Sequence, residues 1–386
     1  MRRDGACACV RRRGTKGAKC CKQRLGGIRF RLPSLPSRIN RTMTTNDDIE
    51  VLVCARPGQL ALERRPRPQA GAGEVLVRPR RVGICGTDYH IYEGKHPFLD
   101  YPRVMGHELA VEIVEAPAGS ALRPGELCAV NPYVACGACI ACRNGKPNCC
   151  VHIGVLGVHR DGGMAELLAV PERNIVPAPG LTVEAAATVE FLAIGAHAVR
   201  RGAVGPRDRA LVIGAGPIGL GVALFARVAG AAVTVMDLDA SRLAAAKAVA
   251  GVETTITAGP DALEAAAALT DGEYFDVVFD ATGNPQSMEK GFDFVAHGGR
   301  YVLVSVVKSA IRFEDSDFHR KEMTLLGSRN AIAADFEQVM AAIASGQVDV
   351  NKLITHRTTL AGAVRDLPLW ATEKSGLIKA LIQIGD

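Results

Sequence analysis

The sequence predicts two domains of different class, an all-β, barrel-like domain and an α/β domain built on a parallel sheet. Three observations predict this arrangement. The chain has 386 residues, 48% of them hydrophobic, which is more than one compact core normally accommodates. From about residue 50 to residue 195, short alternating segments are separated by Gly and Pro. From about residue 209, continuous apolar segments alternate with helical ones.

The formal net charge of +6 arises from the first 42 residues. They carry 13 Lys and Arg and one acidic residue, Asp4, which leaves 33 basic and 39 acidic residues in the rest of the chain. This balance argues against nucleic acid as a partner of the main body.

Residues 1–42 contain no apolar segment of the kind that a secretory signal requires. We expect a disordered extension, or translation upstream of a natural start at Met43; an Arg-rich transit peptide is the alternative. No apolar run approaches the roughly 18 residues of a membrane span, so we expect no membrane association. Eight of the 12 cysteines lie beyond this leader, and a long chain without an export signal predicts reduced thiols and a cytoplasmic protein.

The first predicted domain is rich in half-buried strands. Residues 74–86, 106–116 and 163–170 alternate apolar and polar side chains, as strands with one buried face do. Gly and Pro recur between these segments, which predicts an all-β unit with long loops.

The second predicted domain begins with an apolar strand at residue 209, a Gly-rich turn, an apolar helix and a second apolar strand. "SRLAAAKAVAG" then predicts a helix that ends at a glycine, and residues 275–283, 299–306 and 322–328 predict further strands. Alternating strands and helices with continuous apolar strands predict a parallel sheet covered on both faces. In the tail, "FEQVMAAIASG" predicts one helix, and strand-like text follows it.

The Gly-rich turn "GAGPIG" places Gly214, Gly216 and Gly219 in the G-x-G-x-x-G frame of dinucleotide-binding proteins. The first glycine permits a tight turn, the second lets a pyrophosphate approach the backbone, and the third lets helix and strand pack closely. Asp237 ends the following strand, where a carboxylate accepts hydrogen bonds from ribose hydroxyls and repels a 2′-phosphate. The sequence therefore favours NAD over NADP. Pro217, Ile218 and Arg242 are further candidate cofactor-binding residues.

A cluster of sulfur in one loop predicts a structural metal site. Four thiolates surround a tetrahedral Zn²⁺ and fill every position, so such a site stabilises the loop and does no chemistry. An iron–sulfur cluster and a redox C-x-x-C pair are the alternatives. The predicted ligands are Cys136, Cys139, Cys142 and Cys150, with Cys149 as the alternative to Cys150.

A second group predicts an open metal site. Cys85 lies in "GICGTDYH", and His107 and Glu108 lie in "GHE". Taken singly, each is more often a core or surface residue than a ligand. Together, a thiolate, an imidazole and a carboxylate balance the charge of Zn²⁺ and leave a fourth position for water or an alcohol, as a catalytic zinc requires.

From about residue 51 to the C-terminus, the chain resembles the zinc-dependent medium-chain alcohol dehydrogenase family. The resemblance is strongest to the branch of sorbitol, threonine and sugar-acid dehydrogenases. It is carried by "GICGTDYHIYEG", "GHE", the cysteine loop, "VEFLAIGAHAV", "GAGPIGL", "VLVSV" and "KEMTLLGSRNA", in that order. The resemblance implies a GroES-like catalytic domain over residues 43–196 and 338–386, and a Rossmann NAD-binding domain over residues 197–337.

The resemblance also implies roles for individual residues. Cys85, His107 and Glu108 hold the catalytic zinc, and Glu190 stands beside it as a partner of the zinc water or an exchanging ligand. Phe191 follows Glu190 where the family usually has proline, which is expected to reshape the pocket.

The expected reaction is oxidation of a secondary alcohol by hydride transfer to NAD⁺, with one catalytic and one structural zinc per subunit. The resemblance implies that Thr87 takes the hydroxyl proton, which passes through the cofactor ribose to His90 and solvent. A small polar alcohol is the expected partner, and Tyr89, Glu93, His96 and Arg329 are candidate contacts for it.

We expect a polyol or a sugar acid as substrate; L-threonine or another small alcohol is the alternative. A zinc-free quinone reductase of the same fold predicts neither the metal ligands nor Asp237. A zinc-containing nucleic-acid binder leaves the Gly-rich turn unexplained. The family implies a homodimer or homotetramer.

Overall fold

The computed structural model describes residues 48–96, 99–373 and 376–385. The predictions made for residues 1–42 lie outside this part of the chain. The strands are β1 Asp48–Arg56, β2 Gln59–Pro66, β3 Glu74–Ile84, β4 Arg103–Val104, β5 Glu108–Glu115, β6 Leu127–Val130, β7 Tyr133–Val134, β8 Gly154–Val155, β9 Leu168–Pro171, β10 Ile175–Pro177, β11 Arg209–Ile213, β12 Ala232–Asp237, β13 Thr254–Thr257, β14 Phe275–Asp280, β15 Val295–Leu303, β16 Thr324–Gly327, β17 Ile354–Thr359 and β18 Lys379–Gln383. The α-helices are α1 Gly86–Tyr92, α2 Ile140–Arg143, α3 Val183–Arg201, α4 Pro217–Val228, α5 Ala240–Ala250, α6 Ala262–Leu269, α7 Pro285–Lys290, α8 Asp315–Arg320, α9 Ala333–Ala344 and α10 Ala363–Thr372.

The first part of the chain forms the predicted β-rich unit. Its main sheet runs β10-β6-β5-β3-β18-β17, with β9 also paired to β3, and a smaller sheet runs β2-β1-β4. Strand β18, from the chain's tail, pairs antiparallel with β3, so that Ala380 lies opposite Ile84. This pairing agrees with the predicted return of the tail to the first domain, whose boundaries remain a prediction.

The second part forms the predicted parallel sheet, in the order β13-β12-β11-β14-β15-β16. All five strand pairs are parallel, and helices connect most successive strands. This is the strand order of the Rossmann fold, which binds its ligand at the carboxyl ends of the central strands. The predicted combination of an α/β Rossmann unit with a β-rich GroES-like unit is confirmed. Among the described residues, no helix is long and apolar enough to cross a bilayer.

Four helices were not expected from the sequence, and two of them, the short helices α1 and α2, lie entirely within the segment predicted to be all-β. Helix α3 lies partly inside the segment predicted to be all-β, and 14 of its 19 residues are buried. Burial on every side removes the polar stripe by which an amphipathic helix is recognised. Helix α10 lies in a tail predicted to be strand-like, and it contains Pro368 in its interior, a residue that normally argues against a helix.

Helices α3 and α4 pack closely enough that their backbones touch. A Cβ at Gly195 of α3 would overlap the backbone of Gly221 in α4. The reverse is not true, because a Cβ at Gly221 would meet its nearest atom at 3.8 Å, an ordinary contact. The close approach matters for the site, since α3 carries Glu190 and α4 begins at the Gly-rich turn.

This asymmetry predicts opposite effects of two alanine substitutions. Gly195→Ala forces the helices apart and should lower the free energy of unfolding by about 1–3 kcal/mol, the usual cost of overpacking. Gly221→Ala should leave it unchanged or raise it by up to about 1 kcal/mol, because alanine favours the helix. Urea denaturation of the zinc-loaded variants measures both. Equal destabilisation by the two changes would contradict the described packing.

Candidate active site

Strand register brings the predicted catalytic metal ligands together. Cys85 follows the last residue of β3, and Glu108 begins β5 with its Cα opposite Gly83 in β3. One ligand atom each from Cys85, His107 and Glu108 lies within 4.8 Å of the others. A side chain at Gly83 would overlap the Glu108 carboxylate, so glycine is required there to leave that carboxylate room.

The chemistry of this group fits a zinc ion. His107 is buried, and its Nδ1 has no hydrogen-bond partner in the part of the chain that the structure describes. Burial alone lowers the pKa of His107, but Asp88 and Cys85 together raise it well above its usual value. A thiol, an imidazole and a carboxylate whose donor atoms lie within 4.8 Å of one another are the donor set of a catalytic zinc.

Asp88 is a site residue that the sequence analysis missed. It is fully buried, and its carboxylate accepts hydrogen bonds from the backbone N–H groups of Cys85 at 2.9 Å and Gly106 at 3.3 Å. Its Oδ1 lies 3.8 Å from Nδ1 of His107. Asp88 therefore ties both metal-ligand segments together. Its position three residues after Cys85, the N-cap of α1, is the spacing of a capping box and was the available signal.

Lys379 is a second residue that sequence reasoning missed. Its side chain is 2% exposed, and its Nζ donates to both carboxylate oxygens of Glu108 at 2.7 Å and to the carbonyl oxygen of Ile84 at 3.3 Å. Glu108 and Lys379 lie 271 positions apart in sequence, so no local pattern links them. The pairing depends on β18 lying beside β3.

Glu190 lies on the buried face of α3, with 4% of its surface exposed. The hydroxyl group of Tyr133 donates a hydrogen bond to its carboxylate. Burial, with the neighbouring charge of Glu108, raises the pKa of Glu190 to about 7, although His107 and Tyr133 act in the opposite direction. Tyr133 was not anticipated, because it comes from a short strand in another segment.

The two residues predicted to carry the proton lie on α1. Thr87 is half-buried, and its Oγ1 is 3.9 Å from Sγ of Cys85. His90 is exposed to solvent one turn further along the same helix. One residue thus lies beside the metal group and the other at the surface.

The cysteine loop has the spacing of a four-sulfur zinc site. Sγ of Cys139 is 3.5 Å from that of Cys142 and 3.9 Å from that of Cys150. Corners of a tetrahedron with zinc–sulfur distances of about 2.3 Å lie about 3.8 Å apart. All four predicted sulfurs, including that of Cys136, lie within 4.8 Å of one another. Cys149 is exposed and is not part of this group.

Backbone N–H groups point at these sulfurs and favour thiolates. The N–H of Cys136 donates to Sγ of Cys150 at 3.2 Å, and that of His152 donates to the same atom at 3.3 Å. Hydrogen bonds from the backbone of Cys142 and Val151 lower the pKa of Cys139 to about 6, whereas burial raises the pKa of Cys142 to about 11. Thiolates are the form that binds metal.

The Gly-rich turn has the geometry that the sequence predicted. It lies between β11 and α4, and Gly214 adopts a left-handed φ of 99°. A Cβ at Gly219 would overlap the carbonyl oxygen of Gly214, whereas one at Gly216 would meet nothing within 4 Å. The third glycine therefore serves packing, and the second leaves open space above the turn. Pro217 and Ile218 open α4.

Asp237 lies at the end of β12 with its carboxylate held by the backbone. Its Oδ2 accepts from the N–H of Ala215 at 2.7 Å, and its Oδ1 accepts from that of Asp239 at 2.9 Å. Arg242 lies close, with Nη1 3.9 Å from Oδ2 of Asp237. The carboxylate is thus anchored next to the turn.

The candidate substrate contacts are spread over several environments. Tyr89 is buried, Glu93 forms an ion pair of 2.8 Å with Lys95, and His96 is half-buried. Arg329 lines a cavity of about 240 Å³ beside the cysteine loop, and its carbonyl oxygen accepts from Nδ2 of Asn148 at 2.8 Å. Their contact with substrate stays a prediction.

Two family models match the chain. The alcohol dehydrogenase GroES-like domain matches residues 71–180, and the zinc-binding dehydrogenase model matches residues 217–345. An L-galactonate-5-dehydrogenase of Escherichia coli (strain K12) is 41% identical over 335 residues, which cover 86% of this chain and 98% of that protein. A sorbitol dehydrogenase of Halalkalibacterium halodurans is 32% identical over 311 residues, covering 79% of this chain and 90% of that protein. The crystal structure of an alcohol dehydrogenase (rspB) from E. coli CFT073, complexed with NADH, has a TM-score of 0.82 and 31% identity, and covers 87% of this chain and 99% of that one.

The geometry of the cysteine loop predicts which of two adjacent cysteines binds metal. Cys150→Ser should remove about one equivalent of zinc per subunit and lower Tm by several degrees, because metal binding contributes directly to folding. Cys149→Ser is the matched control and should retain the zinc. Elemental analysis and thermal unfolding measure both. Loss of zinc from Cys149→Ser with retention in Cys150→Ser would reverse the assignment.

Proposed function

The chain belongs to the zinc-dependent medium-chain alcohol dehydrogenase family, and on that premise we propose that it oxidises a secondary alcohol of a polyol or sugar acid with NAD⁺. The observation that carries the proposal is the buried group of Cys85, His107 and Glu108, whose donor atoms lie within 4.8 Å of one another. The similarity to an L-galactonate-5-dehydrogenase and a sorbitol dehydrogenase supports the substrate class.

Cys85, His107 and Glu108 would hold the catalytic zinc, and the four-cysteine loop would hold a structural one. Zinc at the first site supplies a Lewis acid that lowers the pKa of a coordinated hydroxyl group. Glu190 lies on α3 and accepts a hydrogen bond from Tyr133. It is proposed to contact the water at the fourth zinc position or to exchange with it as a ligand. Asp88 orients this site by holding the backbone on both sides of it.

Thr87 is proposed to relay the hydroxyl proton: its Oγ1, which lies 3.9 Å from the Cys85 sulfur, accepts this proton while the threonine's own hydroxyl proton passes on toward solvent. His90 is proposed to release the proton to solvent. Its exposure supports this role, and imidazole exchanges protons near neutral pH. Tyr89, Glu93, His96 and Arg329 remain proposed substrate contacts.

The Gly-rich turn between β11 and α4 would hold NAD⁺, which would supply the hydride acceptor. Gly214, Gly216, Pro217, Ile218 and Gly219 would cradle its pyrophosphate at the N-terminus of α4. Asp237 would bind the ribose hydroxyls, with Arg242 beside it. The NADH complex of the related rspB protein supports this choice of cofactor.

We also propose that the enzyme is a cytoplasmic homodimer or homotetramer that binds neither nucleic acid nor membranes. The eight described cysteines are all free thiols, which supports a reducing compartment. The oligomeric state rests on the family resemblance, and light scattering of the purified protein tests it.

A substrate screen tests the proposed reaction. Polyols, sugar acids and L-threonine are offered with NAD⁺, and formation of NADH is followed by absorbance. We expect turnover of a polyol or sugar acid. Cys85→Ser should reduce kcat/KM by more than the ~10- to 100-fold that an outer-shell change costs, because it removes a metal ligand. Cys149→Ser should retain activity, and activity of Cys85→Ser close to that of the wild type would refute the catalytic metal site.

The negative charge of Asp237 is expected to make the enzyme prefer NAD⁺ to NADP⁺. Asp237→Asn keeps an acceptor for the backbone of Ala215 but removes the charge that repels a 2′-phosphate. The ratio of kcat/KM for NADP⁺ to that for NAD⁺ should rise about tenfold or more, since like charges in contact cost several kcal/mol. Asp239→Ala, which removes an exposed helix cap two residues further on, should leave the ratio unchanged. An unchanged ratio in Asp237→Asn would exclude this role.

A further inference from the structure

Lys379 forms a buried ion pair with a proposed metal ligand, Glu108. Its ammonium group contacts both oxygens of Glu108 at the same distance, 2.7 Å, and the carbonyl oxygen of Ile84 at 3.3 Å. The ring of Phe191 lies on another side, with its centroid 4.2 Å from Nζ. Both charged side chains are buried, with 2% of Lys379 and none of Glu108 exposed.

We propose that Lys379 is a positioning residue that competes with the metal for the Glu108 carboxylate, and so limits how tightly the Cys85–His107–Glu108 site holds zinc. The inference rests on the metal site proposed above. It assigns to the lysine an effect on metal affinity in addition to any contribution to the fold.

The competition follows from the number of acceptor positions on a carboxylate. Its two oxygens together offer about four lone-pair positions, and the ammonium group takes one on each oxygen. A cation that binds Glu108 must use the remaining positions or displace Nζ. Repulsion between the ammonium group and a dication adds to this cost, and it is poorly screened because both partners of the pair are buried.

Two further contacts stabilise the ammonium group of Lys379 beside Glu108. The Ile84 carbonyl oxygen is a further acceptor, and the face of an aromatic ring attracts a cation within about 6 Å. Phe191 supplies that ring. The family usually has proline at this position, and proline has no aromatic face. The contact of Lys379 with the Phe191 ring therefore depends on a residue that departs from the family pattern.

The direction in which loss of Lys379 changes the zinc affinity shows whether the lysine competes with the metal or only orients Glu108. An outer-shell residue that only orients a ligand strengthens metal binding, and its loss costs ~10- to 100-fold in affinity. A residue that occupies the ligand's oxygens and adds a positive charge has the opposite effect. Its removal destabilises the metal-free protein, which then contains an unpaired buried carboxylate, and frees that carboxylate for the metal.

The test uses the full chain with Lys379→Met, a substitution of similar length without charge. Transfer of zinc to a chromophoric chelator gives the affinity, and Cys85→Ser identifies the fraction released from the structural site. We expect Lys379→Met to hold the catalytic zinc ~10- to 100-fold more tightly than the wild type, by the scale of outer-shell effects. Zinc should also raise its Tm by more than it raises that of the wild type.

Two further variants control for folding and charge. Glu108→Gln combined with Lys379→Met removes both charges of the buried pair, and shows whether the fold tolerates loss of the lysine side chain. Lys379→Arg keeps a cation that engages both carboxylate oxygens, so its zinc affinity should stay close to that of the wild type.

Equal or weaker zinc binding by Lys379→Met would overturn the proposal. So would failure of Lys379→Met to fold with zinc present while the double variant folds, because zinc would then be unable to replace the ammonium group. If neither methionine variant folds, Lys379→Arg decides: affinity close to wild type supports competition, and clearly tighter binding refutes it. If the wild-type protein binds no more zinc than Cys85→Ser does, the Cys85–His107–Glu108 group holds no zinc. That result would refute the proposed function itself.

Discussion

The constraint on which this structure depends is the burial of several acidic groups in one small region. Asp88 and Glu108 are fully buried, Glu190 is 4% exposed, and the Cys85 thiol lies beside them. Isolated charges are strongly disfavoured in such surroundings unless they are paired or coordinate a metal. Asp88 accepts hydrogen bonds from backbone N–H groups and Glu190 from a tyrosine hydroxyl, whereas Glu108 forms an ion pair with Lys379. A divalent cation held by Cys85, His107 and Glu108, as proposed above, would compensate the remaining negative charge of this region.

The fold meets this constraint by joining distant segments through rigid elements. The register of β3 with β5 places Glu108 opposite Gly83, and the pairing of β18 with β3 brings Lys379 to the same place. Helix α3 contributes Glu190 from a third direction, and its close contact with α4 links the metal group to the Gly-rich turn. Sites built on strands and helices hold their geometry more precisely than sites built on loops. Strand pairing therefore sets the positions of Glu108 and Lys379, and helix packing sets that of Glu190.

Much of this could be predicted from sequence, because some of its signals are local. The Gly-rich turn, the four-cysteine loop and helix α5 depend on residues close together in the chain, and the structure has them where the spacing indicated. Helix α3 escaped prediction because burial on all sides erases its periodicity, and α10 because of Pro368. Tyr133 and Lys379 had no local signal at all, since each contacts its carboxylate only through long-range packing. The proposed metal ligands were thus easier to predict than the residues that contact them.

Anomalous X-ray scattering from crystals of the purified full chain, measured on both sides of the zinc absorption edge, tests the central claim most directly. We expect two zinc peaks per subunit, one among the four sulfurs of the cysteine loop and one in contact with Cys85, His107 and Glu108. A single peak in the cysteine loop, with the buried acidic group free of metal in active protein, would contradict it.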